Sequence, residues 1–539
     1  MDRRDFLKTG GLAGLFLSVG GLSLPIGRAF AREGDDITLR VLAEDGPNSR
    51  DPHGDGVNRA ALGTFTNIYD RLVNFDRIEV APGLFRYDYL KFKGELAESW
   101  EVLEDGRVLV FHLRRDATFH DGKPVTAEDV RWSLERGINL PASKRQLSTG
   151  SITSADQFEV VDAHTFRMRF EKADRYTMPN LALSFASVIN AEAVKANATA
   201  EDPWGREWLR NNAAGGGAYK VANWTAGQQV IYDRFDDWKS GDLPRIRRAV
   251  VQVVPAAPAR VAAVTKGDAD VALQLPPKDV AAIDADPKVD LISLPVTNSF
   301  RFVAFNTQTA PFNDVRVRQA IAFALPYDAM FQGAIFGRGT PLYGAASDQP
   351  ETSAFPQPYP YATDLDRARA LLAEAGHGNG FETSFSYNVA DAITADPIAL
   401  LVQEQLGRIG IRVVIEKVPA AQWGTLLTEK KVPFYVEGSS AWFNDPDYFF
   451  RIFFQGDWRW NFGAFRNEEL GALVEKARWE TDKDTYEDLM RQAIRIVFRE
   501  LPIMPLWLPA FDAALKPGVT DFTYYIHGQV DFRPLDRKA

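Results

Sequence analysis

The side chains best suited to acid–base or metal chemistry lack the spacing that such chemistry needs. Two zinc ligands lie on one helix face when they are three or four residues apart. No two of the six histidines have this spacing. They are His53, His112, His120, His164, His377 and His527. The sequence also lacks a nucleophile elbow, an H-E-x-x-H helix and a Walker loop. Its many carboxylates include no pair that sequence alone marks as catalytic. We therefore predict a protein that is not an enzyme and that holds no cofactor or metal.

The segment from Ser439 to Phe450 has a different character, because large aromatic rings alternate there with polar and charged groups. Trp442 is followed closely by Asn444 and Asp445. Such a mixture suits a cleft for a partly polar ligand, in which rings supply contact area and carboxylates fix orientation. The alternative is a loop that packs its rings into the core.

The N-terminal residues have the layout of a cleavable export signal. Arg3 and Arg4 precede an uncharged stretch at 9–27, and Ala29-Phe30-Ala31 provides the small residues that a signal peptidase needs. Paired arginines are typical of the twin-arginine route. A membrane anchor is the alternative, but six glycines and one proline in 9–27 weaken a spanning helix. We predict a twin-arginine signal peptide at 1–31 and a soluble periplasmic protein after cleavage.

Length and composition limit the remaining choices. A chain of 539 residues is too long for one hydrophobic core, so two or three domains are expected. Its net charge of −10 argues against a nucleic-acid partner, since binding a phosphate backbone needs a basic surface. The sequence contains no cysteine, which excludes disulfides, thiolate metal sites and a lipid-bearing cysteine.

The elements that must position the candidate residues follow an α/β pattern. Residues 37–42 alternate as a strand. Thr126 and Asp129 form a capping-box pattern at the start of a helix. Asp396 and Pro397 have the residue types of an N-cap and a first helical position. Helices that end at a glycine and are followed by apolar strands recur along the chain and predict an α/β fold.

Several stretches together resemble the extracellular solute-binding protein family 5, the binding proteins of peptide, nickel and opine ABC importers. The stretches that carry this resemblance are 94–102, 111–130, 217–221, 267–272 and 306–320. It implies a two-lobed α/β fold of the periplasmic binding protein type II kind, with a hinge and an extra α+β domain inserted in the first lobe. The implied ranges are 36–77, 203–303 and 506–539 for the first lobe, 78–202 for the insert and 304–505 for the second lobe. The chain would cross between the lobes near 302–305 and 504–507.

The resemblance also implies ligand-binding residues. Peptide binders of the family have two tryptophans nineteen residues apart and an aspartate three residues later, which holds the amino group of the ligand; Trp423, Trp442 and Asp445 have this spacing. Asp445 runs directly into Pro446 and Asp447, as if residues were missing, so it is either the anchor or a turn residue. The full candidate set is Trp423, Ser439, Trp442, Asn444, Asp445 and Trp507, with Asp55, Gly56 and Val57 from the first lobe.

The function implied is that of a periplasmic binding component of an ABC importer. It would capture a peptide or peptide-like solute and, as a monomer, deliver it to the permease and ATPase subunits at the inner membrane. The shortened loop after Asp445 keeps an opine, a glycoside or another small solute as the alternative. A ligand sensor and a secreted hydrolase are the remaining, less favoured hypotheses.

Overall fold

The structure is a computed structural model that describes residues 37–284, 286–344 and 352–537. The predicted signal peptide, 1–31, lies outside these ranges. In the described part of the chain, no helix is long and apolar enough to cross a membrane.

The strands of the described residues alternate with helices along most of the chain. In chain order they are β1 (Thr38–Ala43), β2 (Val73–Ala81), β3 (Leu84–Gly94), β4 (Ala97–Leu103), β5 (Val108–Leu113), β6 (Phe158–Asp162), β7 (Thr165–Arg169), β8 (Tyr219–Thr225), β9 (Gln229–Arg234), β10 (Arg248–Val253), β11 (Val271–Ala272), β12 (Asp290–Pro295), β13 (Ser299–Phe305), β14 (Thr340–Pro341), β15 (Glu382–Asn388), β16 (Arg412–Val418), β17 (Phe434–Ser440), β18 (Ile503–Leu508), β19 (Ala510–Leu515), β20 (Val519–Thr520), β21 (Phe522–Tyr525), β22 (Gln529–Val530) and β23 (Asp536–Arg537).

The α-helices vary from one turn to five. They are α1 (Arg59–Ile68), α2 (Ala127–Asn139), α3 (Pro141–Leu147), α4 (Thr177–Leu181), α5 (Ala191–Lys195), α6 (Arg206–Asn211), α7 (Ala257–Lys266), α8 (Pro277–Ala281), α9 (Val315–Ala324), α10 (Tyr327–Ile335), α11 (Leu365–Glu374), α12 (Ala392–Gly407), α13 (Ala420–Thr428), α14 (Pro446–Phe453), α15 (Glu468–Arg478) and α16 (Lys483–Glu500).

Two large mixed sheets form the centres of the two lobes and confirm the predicted α/β class. The first has seven strands in the order β12-β19-β11-β1-β10-β9-β8, and the second has six in the order β14-β18-β13-β17-β15-β16. In the first sheet, β1 pairs in parallel with both β10 and β11. Strands buried in this way read as apolar runs, and Leu39 and Val41 of β1 are fully buried.

The chain passes between the two large sheets at two places. Residues 296–298 join β12 of the first sheet to β13 of the second, and Pro509 alone joins β18 of the second to β19 of the first. The two crossings touch, because the Val296 amide donates a hydrogen bond to the Pro509 carbonyl at 2.9 Å. The stretches predicted as crossings, 302–305 and 504–507, lie instead within β13 and β18. Their apolar side chains belong to the core of the six-stranded sheet.

Smaller sheets complete the fold. One contains β4, β5, β7 and β6, all within the range predicted for the inserted domain. A second sheet joins β2 and β3 to β21 and β22 near the C-terminus, and Phe522 of β21 lies beside Leu84 of β3 in parallel register. The lobe and insert boundaries given above remain a prediction.

Helix starts agree with the sequence in one case and differ in another. At α2 the capping box is formed, with the Thr126 amide donating to Asp129 Oδ2 at 3.0 Å. Helix α12, however, begins at Ala392 and holds Pro397 inside it, so the predicted N-cap at Asp396 is wrong. The Asp396 carboxylate does not cap, because it accepts hydrogen bonds from Tyr387 Oη and from Lys417 Nζ.

Candidate ligand-binding cleft

Two adjoining cavities lie beside the crossings and form one cleft. We call them the apolar chamber, about 330 Å³, and the charged chamber, about 360 Å³. They share the lining residues Arg59, Ser299, Ser440, Pro509, Ala510 and Asp512. Because these residues come from both large sheets and from the second crossing, a solute in the cleft would touch both lobes.

The apolar chamber is built on the seven-stranded sheet. Its wall includes Val41, Val230, Val251 and Leu273, and α1 covers it with Ala60, Gly63 and Thr64. The C-terminal segment closes it with Phe511, Tyr524, His527 and Val530. Its apolar lining and few polar groups are typical of a small-molecule site.

The charged chamber contains three arginines and three carboxylates. Two of these arginines form ion pairs: Arg338 Nη2 lies 2.9 Å from Asp512 Oδ1, and Arg301 Nη1 lies 3.3 Å from Asp391 Oδ2. The third, Arg59, donates to Ser440 Oγ at 3.2 Å, a contact between α1 and the six-stranded sheet.

Glu437 is the remaining carboxylate of the charged chamber, and it explains the position of Trp423. Trp423 is buried, and its indole Nε1 donates to Glu437 Oε2. The Gly438 amide donates to Glu437 Oε1 at 2.8 Å. Burial raises the pKa of Glu437, and the charge of Arg301 opposes this increase. Trp423 therefore supports a chamber carboxylate and does not itself line either chamber.

Trp507 and Ser439, two of the predicted ligand-binding residues, both border the charged chamber. Trp507 is almost fully buried and packs edge-on against Phe331, with ring centroids 5.9 Å apart. Ser439 lies opposite Phe300 in the β13–β17 register, so its side chain shares the core-facing side of the sheet with that ring. Ser439 is buried there.

Trp442 lies behind the apolar chamber. Its ring meets the His527 ring edge-on, with centroids 4.4 Å apart, and meets Phe185 at 5.0 Å. His527 lines the chamber, so Trp442 positions a lining residue. Burial, with a smaller contribution from the charge of Arg59, lowers the pKa of His527 to about 3 and keeps this ring neutral.

Asp445 is the N-cap of α14 and is already engaged by protein groups. Its Oδ2 pairs with Arg175 Nη2 at 2.8 Å, and its Oδ1 accepts from the hydroxyls of Tyr176 and Tyr486, each at 2.6 Å. Its Oδ1 also accepts from the Asp447 amide at 3.0 Å, the usual contact of an N-cap. Asp445 and the half-buried Asn444 are not among the residues that line the two chambers.

The predicted first-lobe strip lies outside the cleft, although both ends of the same loop reach it. Asp55 forms an exposed ion pair with Arg206 at 3.2 Å. Gly56 has a φ of +68°, which favours glycine, and its carbonyl accepts from Asn48 Nδ2 at 2.8 Å. Val57 is half-buried. The lining residues of this region are instead Asp45, Pro47, Arg59 and Ala60.

Sequence reasoning missed Arg59, Gly63, Arg301 and His527 as cleft residues. One signal was present for Arg301, because it is the single charged residue in the strand Ser299–Phe305, whose other residues are apolar except for Ser299. A charge in a buried strand needs a partner or a function. The other three are brought to the cleft by packing between distant segments and carry no local signal.

Comparisons with known proteins agree with this architecture. A family model described as bacterial extracellular solute-binding proteins, family 5 Middle, matches residues 91–461. Heme-binding protein A of Haemophilus influenzae is 30% identical over 481 residues, which cover 84% of each chain. The Dipeptide-binding protein of Escherichia coli K12 is 27% identical over 525 residues, covering 90% of this chain and 91% of that one.

Solved structures extend the likeness to three dimensions. PBP AgaA in complex with agropinic acid, from A. tumefaciens R10, is 27% identical with a TM-score of 0.71, and the match covers 93% of this chain and 99% of AgaA. NikA from Brucella suis, in complex with Fe(III)-EDTA, has a TM-score of 0.78 at 21% identity and covers 93% of this chain and 100% of NikA. The second likeness is one of fold alone.

Proposed function

Because this chain belongs to the bacterial extracellular solute-binding proteins, family 5, we propose that it is the substrate-binding component of an ABC importer. In this role it captures a peptide or peptide-like solute between its lobes and delivers it to a membrane permease driven by an ATPase. The observation that carries the proposal is the continuous cleft, which both large sheets line at the two chain crossings.

Contacts across the cleft supply a mechanism for capture. Arg59 of α1 reaches Ser440 of β17, and Arg338 reaches Asp512 of β19, so each contact joins elements of different lobes. A solute that touches both walls adds contacts that an open form lacks. Binding therefore shifts the molecule toward the closed form, which is the form a permease would recognise.

The two chambers together suit an amphipathic solute of peptide-like character. The apolar chamber would take a hydrophobic side chain, and the charged chamber would take the polar or ionised part of the same molecule. Relatives whose names report a dipeptide and an agropinic acid complex support solutes of this size.

A non-peptide solute, such as an opine or a glycoside, is the second candidate. One observation favours it: the Asp445 carboxylate, expected to hold a peptide amino group, is paired with Arg175 and lies away from both chambers. Without that anchor, a free amine is not required of the ligand.

Export by the twin-arginine route is part of the proposal. N-terminal sequencing of protein from a periplasmic extract should start at Arg32. Replacing Arg3 and Arg4 with lysine together should leave the precursor in the cytoplasm, since that route reads the arginine pair. Periplasmic protein from this double variant would contradict the route.

Native mass spectrometry of the purified protein tests the ligand class. The protein is measured as purified and again after mild unfolding releases whatever it carries. A released set of peptides would support the first candidate, and a single opine-like or sugar-like mass would support the second. If neither purified nor solute-supplemented protein gains any bound mass, the binding function itself is contradicted.

A further inference from the structure

Arg301 is a charged residue of the cleft with buried donors that have no partner among the described residues. Its Nη1 pairs with Asp391 at 3.3 Å, but its Nε and Nη2 are sealed from solvent and have no hydrogen-bond partner among the residues that the structure describes. The side chain is only 14% exposed. Unpaired donors shielded from water are costly, and more so on a cation.

Arg338 and Glu437, two other charged residues of the chamber, have partners for their polar atoms. Arg338 gives both Nε and Nη2 to Asp512, at 3.3 Å and 2.9 Å. Glu437 accepts from Trp423 and from the Gly438 amide. Arg301 thus retains a guanidinium edge that is buried and has no acceptor among the described residues.

The surroundings of Arg301 leave open space beside its guanidinium, next to Nη1. Gly438 lies directly opposite Arg301 in the β13–β17 register, where any other residue would place a side chain. A Cβ atom at this glycine would lie 3.6 Å from Arg301 Nη1. Ser299 and Ser440 form the next directly opposed pair on the same side of the sheet, and Arg59 donates to Ser440 there. The strip itself contains no carboxylate; the chamber carboxylates that interact with Arg301 are Asp391, which pairs with its Nη1, and Glu437.

From this arrangement we propose that the Nε–Nη2 edge of Arg301 binds a carboxylate of the captured solute. Rotation about the terminal torsions of Arg301 turns this edge into the charged chamber, where the planar guanidinium matches a carboxylate with two parallel hydrogen bonds. Arg59 adds positive charge at the neighbouring position. The solute is therefore a carboxylic acid, and its acid group is held by the second lobe. This assignment rests on the proposed binding function and narrows it, because peptides and opine acids qualify whereas neutral glycosides do not.

A matched pair of small probes tests the carboxylate requirement without knowledge of the natural ligand. N-acetylglycine and N-acetylglycinamide differ only in an acid against an amide, and each is titrated while thermal unfolding is followed. A ligand that binds only the native state raises the melting temperature with its concentration. The acid should stabilise the wild type and the amide should not. Equal stabilisation by the two, or none by the acid, would overturn the proposal.

Variants of Arg301 test whether this side chain is responsible. Arg301→Gln should abolish the difference in stabilisation between the acid and the amide. Arg301→Lys keeps the positive charge but not the planar guanidinium that makes two parallel hydrogen bonds, so it should retain part of the difference. Arg459→Gln removes an exposed arginine that lines neither chamber and should keep the full difference. The comparison is made within each variant, so a change in stability does not affect it. An acid preference that survives in Arg301→Gln would overturn the assignment.

A second pair of probes separates this inference from the proposed function. The dipeptide Met-Leu and its C-terminal amide are titrated in the same way. If both bind with equal affinity, the peptide function stands and the carboxylate site fails. If neither binds while N-acetylglycine still discriminates, the carboxylate site stands and the solute is a non-peptide acid. The expected result is at least about a tenfold weaker binding of the amide, equivalent to one charge-assisted contact.

Discussion

Arg175 and Asp445 form an ion pair 2.8 Å long, although 270 residues separate them in the chain. Asp445 starts α14, whereas Arg175 precedes α4 and lies next to Tyr176, whose hydroxyl also binds Asp445. A second ion pair joins Arg478 of α15 to Asp174, the residue before Arg175. Charged groups therefore fasten the segment before α4 to the helices that follow β17.

Replacing Asp445 with alanine should lower the stability of the protein more than its affinity for the solute. The change leaves Arg175 and two tyrosine hydroxyls without their shared acceptor, and Arg175 is 27% exposed, so we expect a loss of roughly 2–3 kcal/mol in the free energy of unfolding. Urea unfolding of ligand-free protein measures it.

An exposed pair provides the control for this prediction. Glu404 near the end of α12 and Arg408, the residue that caps this helix, form an exposed ion pair four residues apart, and Glu404→Ala should cost less than about 1 kcal/mol. If Asp445→Ala keeps full stability but loses affinity for ligands with a free amine, Asp445 is the amine anchor after all.

Trp442→Ala should weaken binding more than folding. The ring is half-buried and holds His527 against the apolar chamber, so its loss frees a lining residue. We expect the dissociation constant to rise about tenfold or more. The free energy of unfolding should fall by roughly 1–2 kcal/mol, less than for a fully buried tryptophan. Calorimetric titration and urea unfolding measure the two effects. Trp458→Ala, at a 46% exposed tryptophan, should change neither, and a collapse in stability at Trp442 would make it a core residue.

Filling the apolar chamber from Gly63 should block the solute without harm to the fold. A Cβ atom at Gly63 meets only ordinary contacts, the nearest being the Val530 amide at 3.7 Å, and Gly63 lines the chamber, so we expect a longer side chain to occupy part of it. Gly63→Leu should raise the dissociation constant by about a hundredfold or more, since the side chain takes the space of the solute.

The matched control for this variant is Gly424→Leu. Gly424 is also a helix glycine, with no atom within 4 Å of an added Cβ, and it lines neither chamber. Both variants should gain up to about 1 kcal/mol from helix propensity, and only Gly63→Leu should lose binding. Normal binding by Gly63→Leu would mean that the solute does not enter the apolar chamber.

His53 should make stability depend on pH in mildly acidic solution. It is 1% exposed, and burial, then the charge of Arg136, lowers its pKa to about 3 in the folded protein. The unfolded chain binds the proton near pH 6.5, so this stability is complete above about pH 6.5 and is lost as the pH falls toward the folded value. The loss is at most about 1.4 kcal/mol per pH unit for one proton. Urea unfolding between about pH 7 and about pH 5 should give a shallower slope for His53→Gln, and an identical slope would contradict the assignment.

The sequence was sufficient for the class of fold and for features decided locally. The strand β1 and the capping box at Thr126 are set by neighbouring residues, and both are present as predicted. The prediction of a helix start at Asp396 and Pro397 was wrong. The Asp396 carboxylate accepts hydrogen bonds from Lys417 and Tyr387, which do not neighbour it in sequence.

The candidate site was less accessible from sequence, for the same reason. The spacing of Trp423, Trp442 and Asp445 identified a segment next to the cleft. It could not reveal that the Asp445 carboxylate forms an ion pair with Arg175. Arg59 and Arg301 line the same cavity only because the fold brings α1 and β13 together there. Such a meeting depends on the whole fold and leaves no pattern in the residues around either arginine.

The hydrogen bond between Val296 and Pro509 joins the two chain crossings at a point very close to the apolar chamber. Both residues border the apolar chamber, so the pivot of any rotation that keeps this bond is also part of the wall that a solute touches. Near a pivot, displacements are small and increase in proportion to distance. If the lobes rotate about this bond, a fraction of an ångström of adjustment against the solute becomes a larger displacement at their far ends.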